Sequence, residues 1–224
     1  MASWPRPYNG NKDWHKQVEK IIATLKNRLT VITNETAGYH VHVGLGRGPD
    51  ARFKLTDLKK IAVVFIIYEK DIDVLHAPHR SIRINRSLPE NIFLLSNRKY
   101  AFPRMSKGRI VKRIYRTKNI SELQHLVNRI PEQELKDAAK SRPHRYYKIN
   151  LLSLDVHRTV EFRQHAGTVN PEKICAWADF VLAVVSAAMS YSEDKLRDLV
   201  ASGAALVPTF VKQELYDAVK NTAN

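Results

Sequence analysis

The sequence predicts an α+β chain whose sheet is mostly antiparallel and whose C-terminus is helical. Three observations carry this. Strand and helix patterns are segregated along the chain rather than strictly alternating. Tyr39-His40-Val41-His42-Val43 alternates as a strand, with His40 and His42 on one face and Tyr39, Val41 and Val43 on the other. Thr159 to His165 does the same, with Thr159, Glu161, Arg163 and His165 opposite Val160, Phe162 and Gln164. A half-exposed strand ordinarily shows Lys, Thr, Ser or Gln to water. Faces of His-x-His and Glu-x-Arg-x-His instead read as two neighbouring strands lining one cleft.

Taken in order, Asp13 caps a helix to about Leu29, with Trp14, Val18, Ile21, Ile22, Leu25 and Leu29 as its apolar stripe. Val31-Ile32-Thr33 is a short strand, and Asn34 to Gly38 turn the chain into the His-x-His strand. Gly44, Gly46, Gly48 and Pro49 end that strand. Thr56 caps a very apolar helix that reaches Ile72 and carries Glu69 on its stripe, where a carboxylate needs a partner. His76 to Ser96 is loop, with Arg80, Arg83 and Arg86, and the basic stretch beyond it also reads as loop. Ser121 and Gln124 form a capping-box pair for a helix to about Arg129, and Pro131 starts another to about Lys140. Tyr146 to Leu154 and Thr159 to His165 are strands joined by a turn at Asp155 to Arg158. Asn170-Pro171-Glu172 opens a helix to about Met189. Ser192 caps a helix to about Ala201, and Thr209 caps the last, to about Asn221.

The 224 residues, 44% hydrophobic, suit one globular domain. One cysteine, Cys175, rules out an intrachain disulfide and suits a reducing, cytoplasmic setting. No signal-peptide core opens the chain, and its longest apolar run, Phe180 to Met189, reads as a buried helix rather than a membrane span. The formal charge of +15 calls for an anionic partner. From Asn91 to Ser121 there is no acid, yet Arg98, Lys99, Arg104, Lys107, Arg109, Lys112, Arg113, Arg116 and Lys118 are present. That stretch is either a solvated basic segment or a phosphate-facing flap.

His40 and Glu161 form a mixed nitrogen–oxygen pair suited to a divalent ion, too few ligands for a closed zinc site. Mg²⁺ or Mn²⁺ would share its shell with phosphate and water. Arg163, beside Glu161, suits bidentate capture of a phosphoryl or carboxylate oxygen. Arg80 and Arg83 are candidate anion clamps. Tyr39, Tyr146 and Tyr147 read as packing residues, as do Trp177 and Cys175 on the late helix. Gly44, Gly46 and Gly48 lack the Lys-Ser/Thr of a phosphate-binding loop.

Gly38-Tyr39-His40-Val41-His42-Val43-Gly44 resembles the Gly-x-His-Val-His-Val-Gly signature of the amidoligases, relatives of glutamine synthetase and the glutamate–cysteine ligases. Asn150-Leu151, a turn, then Thr159-Val160-Glu161-Phe162-Arg163 through Gly167-Thr168 is similar to the family's second signature, and Trp177 and Phe180 match the helix after it. The resemblance implies a glutamine synthetase-like curved sheet, helices on its outer face and a substrate funnel within. It implies residues 1–190 as the catalytic domain and 191–224 as a helical extension of it. It also implies an ATP- and Mg²⁺-dependent carboxylate–amine ligase that works through an acyl phosphate. By position, His40 and Glu161 become metal ligands, His42 faces the nucleotide, and Glu161 and Arg163 are catalytic, Arg163 gripping the transferred phosphoryl group. Arg80 and Arg83 fall to the anionic substrate.

The family usually opens with a Glu-x-Glu strand. Here the acids before His40 are Asp13, Glu19 and Glu35, and none fits that pattern. The chain is therefore expected to be an N-terminally incomplete, impaired member. One alternative is a catalytically inactive member that binds anions or a partner. A second is a basic nucleic-acid-binding module through residues 98–118, which the two ordered motifs disfavour. Expected partners are a small-molecule or peptide carboxylate and an amine; no membrane is expected, and the oligomeric state is open.

Overall fold

The computed structural model describes residues 13–34, 36–46, 48, 50–77, 80, 94–129 and 145–222. The expected helix over Pro131 to Lys140, and Arg83 and Arg86, lie outside the described residues. The fold is α+β, built on a three-stranded antiparallel sheet in the order β1-β3-β2. These strands are β1 (Gly38–Val43), β2 (Ile149–Asn150) and β3 (Val160–Ala166). The apolar sides of β1 and β3 face helices. Phe162 packs on Phe65 with ring centroids 4.4 Å apart, and the Tyr39 hydroxyl reaches the Ile174 carbonyl at 3.3 Å.

Nine of the thirteen residues of α2 (Leu55–Ile67) are buried, so it is the central strut of the core. The sequence expected one helix here to Ile72. The helix instead breaks at Tyr68 and resumes as α3 (Glu69–Asp73). The break sets Glu69 against the buried Lys148, whose Nζ lies 3.3 Å from Glu69 and 2.5 Å from Asp73. Ser96 and the Arg98 backbone N–H also donate to Glu69. The carboxylate on the apolar stripe is thus a satisfied structural anion.

The basic stretch is helical rather than loop. A π-helical turn, Asn97–Ala101, leads to α4 (Lys107–Tyr115) and α5 (Ile120–Val127). Ile110, Val111 and Ile114 bury one side of α4, and four apolar residues in nine are enough for helical periodicity. The cap of α5 is Asn119 rather than Ser121. Its side chain accepts from the Glu122 N–H at 2.8 Å, and Glu122 returns to the Lys118 N–H, also at 2.8 Å.

β2 is shorter than the Tyr146 to Leu154 strand expected. Asn150 accepts from the Leu152 N–H at 3.0 Å, an Asx turn that ends pairing. The chain then forms α6 (Ser153–His157) and leaves it through Arg158, at φ 57°. Val31-Ile32-Thr33 pairs with no strand among the described residues, and Ile32 is 86% exposed. It follows α1 (Asp13–Arg28), which packs on the long helix Pro171–Ser190.

The Asn170-Pro171 start holds. Asn170 caps α7 (Pro171–Ser190), which is long and apolar enough to cross a membrane; here Trp177, Phe180, Val181 and Val184 sit in the core. α8 (Glu193–Ala201), capped by Ser192, packs on α4. α9 (Leu206–Thr209) and α10 (Gln213–Thr222) complete the chain, with α10 against α7.

Candidate active site

The site grows from the pairing of β1 with β3. His42 stands opposite Glu161, Val41 opposite Phe162 and Tyr39 opposite His165. Two steps along β1 therefore match three along β3. The extra residue is a β-bulge in which Arg163 and Gln164 together oppose His40. This corrects the strict alternation expected of β3. Beyond the bulge His165 turns away from Glu161 and packs on Tyr39, His76 and Trp177. Gln164 turns inward as well and donates to Asp73 at 3.3 Å. Of the four polar residues expected on one face of β3, Thr159, Glu161 and Arg163 remain together.

On the open face these converge with His40 and His42. Glu161 Oε1 lies 2.7 Å from Arg163 Nη1, 3.0 Å from His40 Nδ1 and 3.6 Å from His42 Nε2. Asn150 donates to the other oxygen at 2.6 Å. Burial alone would raise the Glu161 pKa. Hydrogen bonds from His40, His42 and Asn150 and the charge of Arg163 outweigh it, and hold the carboxyl well below its ordinary range. His42 is fixed from behind, its Nδ1 lying 2.9 Å from the Thr159 hydroxyl and 3.1 Å from that of Ser153.

Arg80 approaches from the side. Its Nη2 donates to the Arg163 carbonyl at 2.6 Å and its Nε to the Gln164 carbonyl at 3.3 Å, so it clasps the bulge. It is 6% exposed and pairs with no carboxylate among the described residues. Burial, then the nearby charge of Arg163, lowers its pKa to about 10. Gly38 makes room for it. A Cβ there would sit 2.7 Å from His40 Nε2 and 3.0 Å from Arg80 Nη2. Tyr146 is at the rim rather than in the packing. Its ring centroid is 5.6 Å from the Arg163 guanidinium and 5.0 Å from that of Arg145.

One family model matches residues 5–185, a span holding every residue of this cleft; its description is "Putative amidoligase enzyme". The chain belongs to the amidoligase family. No curated protein and no solved structure matches it.

In this amidoligase, His40, His42, Glu161 and Arg163 come together, Arg80 stands beside them, and Arg83 lies outside the described residues. Thr159 stands on the cleft face that strand alternation predicts, whereas nothing in the residue pattern alone marks Asn150, Ser153 and Gly38 as supports of the cleft. Asn150 was visible only as a motif letter, and a hydroxyl behind an imidazole leaves no spacing signal. Among the described residues no group of three or more His, Cys, Asp or Glu is arranged to hold a metal ion. Glu161 flanked by His40 and His42 supplies part of a shell, and an ion there would need phosphate oxygens and water to complete it. Glu69 and Asp73 add nothing to it, because both are engaged by Lys148 in the core.

Proposed function

We propose that this amidoligase joins a carboxylate to an amine at the expense of ATP. The observation that supports it best is the convergence of His40, His42, Arg163 and Asn150 on the Glu161 carboxylate, within the span that matches the family. In the proposed reaction a substrate carboxylate oxygen attacks the γ-phosphorus of ATP. The bond to the β-phosphate breaks, ADP leaves, and an acyl phosphate forms. The amine then attacks the acyl carbon, phosphate departs with the C–O electron pair, and the ammonium product of attack gives up its proton.

The chain's own groups take four roles. Arg163, anchored through Nη1 to Glu161, holds an oxygen of the transferred phosphoryl group. Arg80, a buried cation without a carboxylate partner among the described residues, holds the anionic substrate; Arg83 joins it on sequence grounds. His42, held by Thr159 and Ser153, faces the nucleotide. Glu161 and His40 would hold Mg²⁺ or Mn²⁺, which would supply neutralisation of the charge on the nucleotide phosphates.

One observation favours an anion-binding member without catalysis: both oxygens of Glu161 already accept hydrogen bonds. Calorimetric titration of ATP, with and without Mg²⁺, into wild type and Glu161→Ala separates the two readings. Binding that needs Mg²⁺ and disappears in the variant is the expected result. Binding indifferent to both would remove the ligase reading and leave the anion binder.

A further inference from the structure

We propose that α4 carries a second, separate binding surface, for the phosphate backbone of a nucleic acid. Arg109, Lys112, Arg113 and Arg116 fall at i, i+3, i+4 and i+7. At 100° per residue they span an arc of about 100° opposite the buried Ile110, Val111 and Ile114. All four are exposed, and none is in an ion pair among the described residues. Elsewhere an exposed cation does find acids, as Arg197 does with Glu193 and Asp194.

Like charges at these spacings destabilise a helix, and cations in a first turn oppose its dipole. α4 has no acid in its first turn, and Lys107 and Arg109 stand there. Lys112 and Arg113 in the last turn do suit the dipole, but no acid among the described residues offsets the repulsion within the stripe, and a polyanion would relieve it. The stripe rises about 10 Å over its seven-residue span, long enough to lie against successive phosphates of one strand. Beside the stripe is a shallow depression of about 420 Å³ lined by Arg113, Arg116, Thr117, Ser121 and His125, with Leu126 its one apolar member. Glu122 also borders it, its carboxylate accepting from the Lys118 N–H and the Asn119 side chain.

The occupant follows from these surroundings. A membrane would call for apolar side chains beside the cations, but those of α4 point into the core. An acidic peptide would need pockets for its other side chains, and the depression beside the stripe is shallow, with Leu126 its one apolar residue. Guanidinium forks on a helix suit phosphates bidentately, and the proposal concerns those backbone contacts, which carry no sequence information of their own. The surface does not depend on the ligase reading.

The test is fluorescence anisotropy of a labelled duplex oligonucleotide over a series of salt concentrations. It compares wild type, the triple variant Arg109→Gln/Arg113→Gln/Arg116→Gln, and the charge-matched triple variant Lys16→Gln/Lys20→Gln/Lys26→Gln on α1. Glutamine keeps helix propensity, and a thermal melt checks each fold. The α4 variant is expected to bind about 10- to 100-fold more weakly, with a salt slope smaller by about 3. The α1 variant is expected to bind like wild type. Equal losses in both variants would make the effect one of net charge and overturn the proposal. So would polyglutamate or anionic vesicles competing as well as the duplex, or an α4 variant that binds unchanged.

Discussion

Lys148 places an ammonium in the interior. It is 2% exposed, and its ammonium is shared by Asp73 and Glu69. Burial raises the Asp73 pKa, and Lys148 is the main influence pulling it back. Removing one partner of a buried ionic group leaves charge without compensation, at about 3–5 kcal/mol. Lys148→Ala should lose stability of that order in urea denaturation, and adding Asp73→Asn should recover part of it. A double variant no more stable than the single one would mean the loss is packing alone. The two strands of the cleft sit at the opposite extreme of legibility. His40, His42, Glu161 and Arg163 were readable because two-residue alternation is a property of one strand by itself. His165 was misplaced because a bulge is a property of the pair: nothing in Val160 to Ala166 alone tells how many residues β1 will set against them.

Among the elements, α5 offers the cleanest test of local encoding. Asn119 accepts from the Glu122 N–H, and Glu122 answers with its carboxylate. Asn119→Ala should cost about 1 kcal/mol of unfolding free energy. Ser121→Ala, at the position expected from sequence to be the cap, should cost less than half of that. The reverse order in chemical denaturation would restore the sequence-based assignment. The start of α7 at Asn170-Pro171 was legible because cap and proline coincide. The early end of β2 was not, since Asn150 looks like any strand residue until its side chain closes a turn on Leu152. α4 was hidden by its charge. Cations suggest loop, yet Ile110, Val111 and Ile114 suffice once α2 and α8 are there to cover them.

For the whole molecule, pH is the informative variable. His76 is buried beside His165 and Trp177, with Lys148 and Arg80 close enough to act on it. Burial, then the charges of His165, Lys148 and Arg80, holds its pKa well below 6.5, and burial lowers that of His165 too. Below 6.5 the unfolded chain takes up protons that the folded chain refuses, so stability is complete above 6.5 and falls as the pH drops beneath it. Glu161 works in the same direction but at far lower pH, because its carboxyl is held below the ordinary range. Urea midpoints should therefore decline already in mild acid, and His76→Phe should flatten that decline. A variant that declines as steeply as wild type would assign the loss to other groups. The layering adds a separate consequence. The cleft lies on one side of the sheet, α2 on the other, and α4 beyond α2. A sheet-to-helix step and a helix-to-helix step of about 10 Å each separate the two cationic regions. That is more than two screening lengths at physiological ionic strength, where the decay length is about 8 Å. Neutralising one region with a ligand leaves the potential at the other almost untouched, so their affinities should multiply as independent factors.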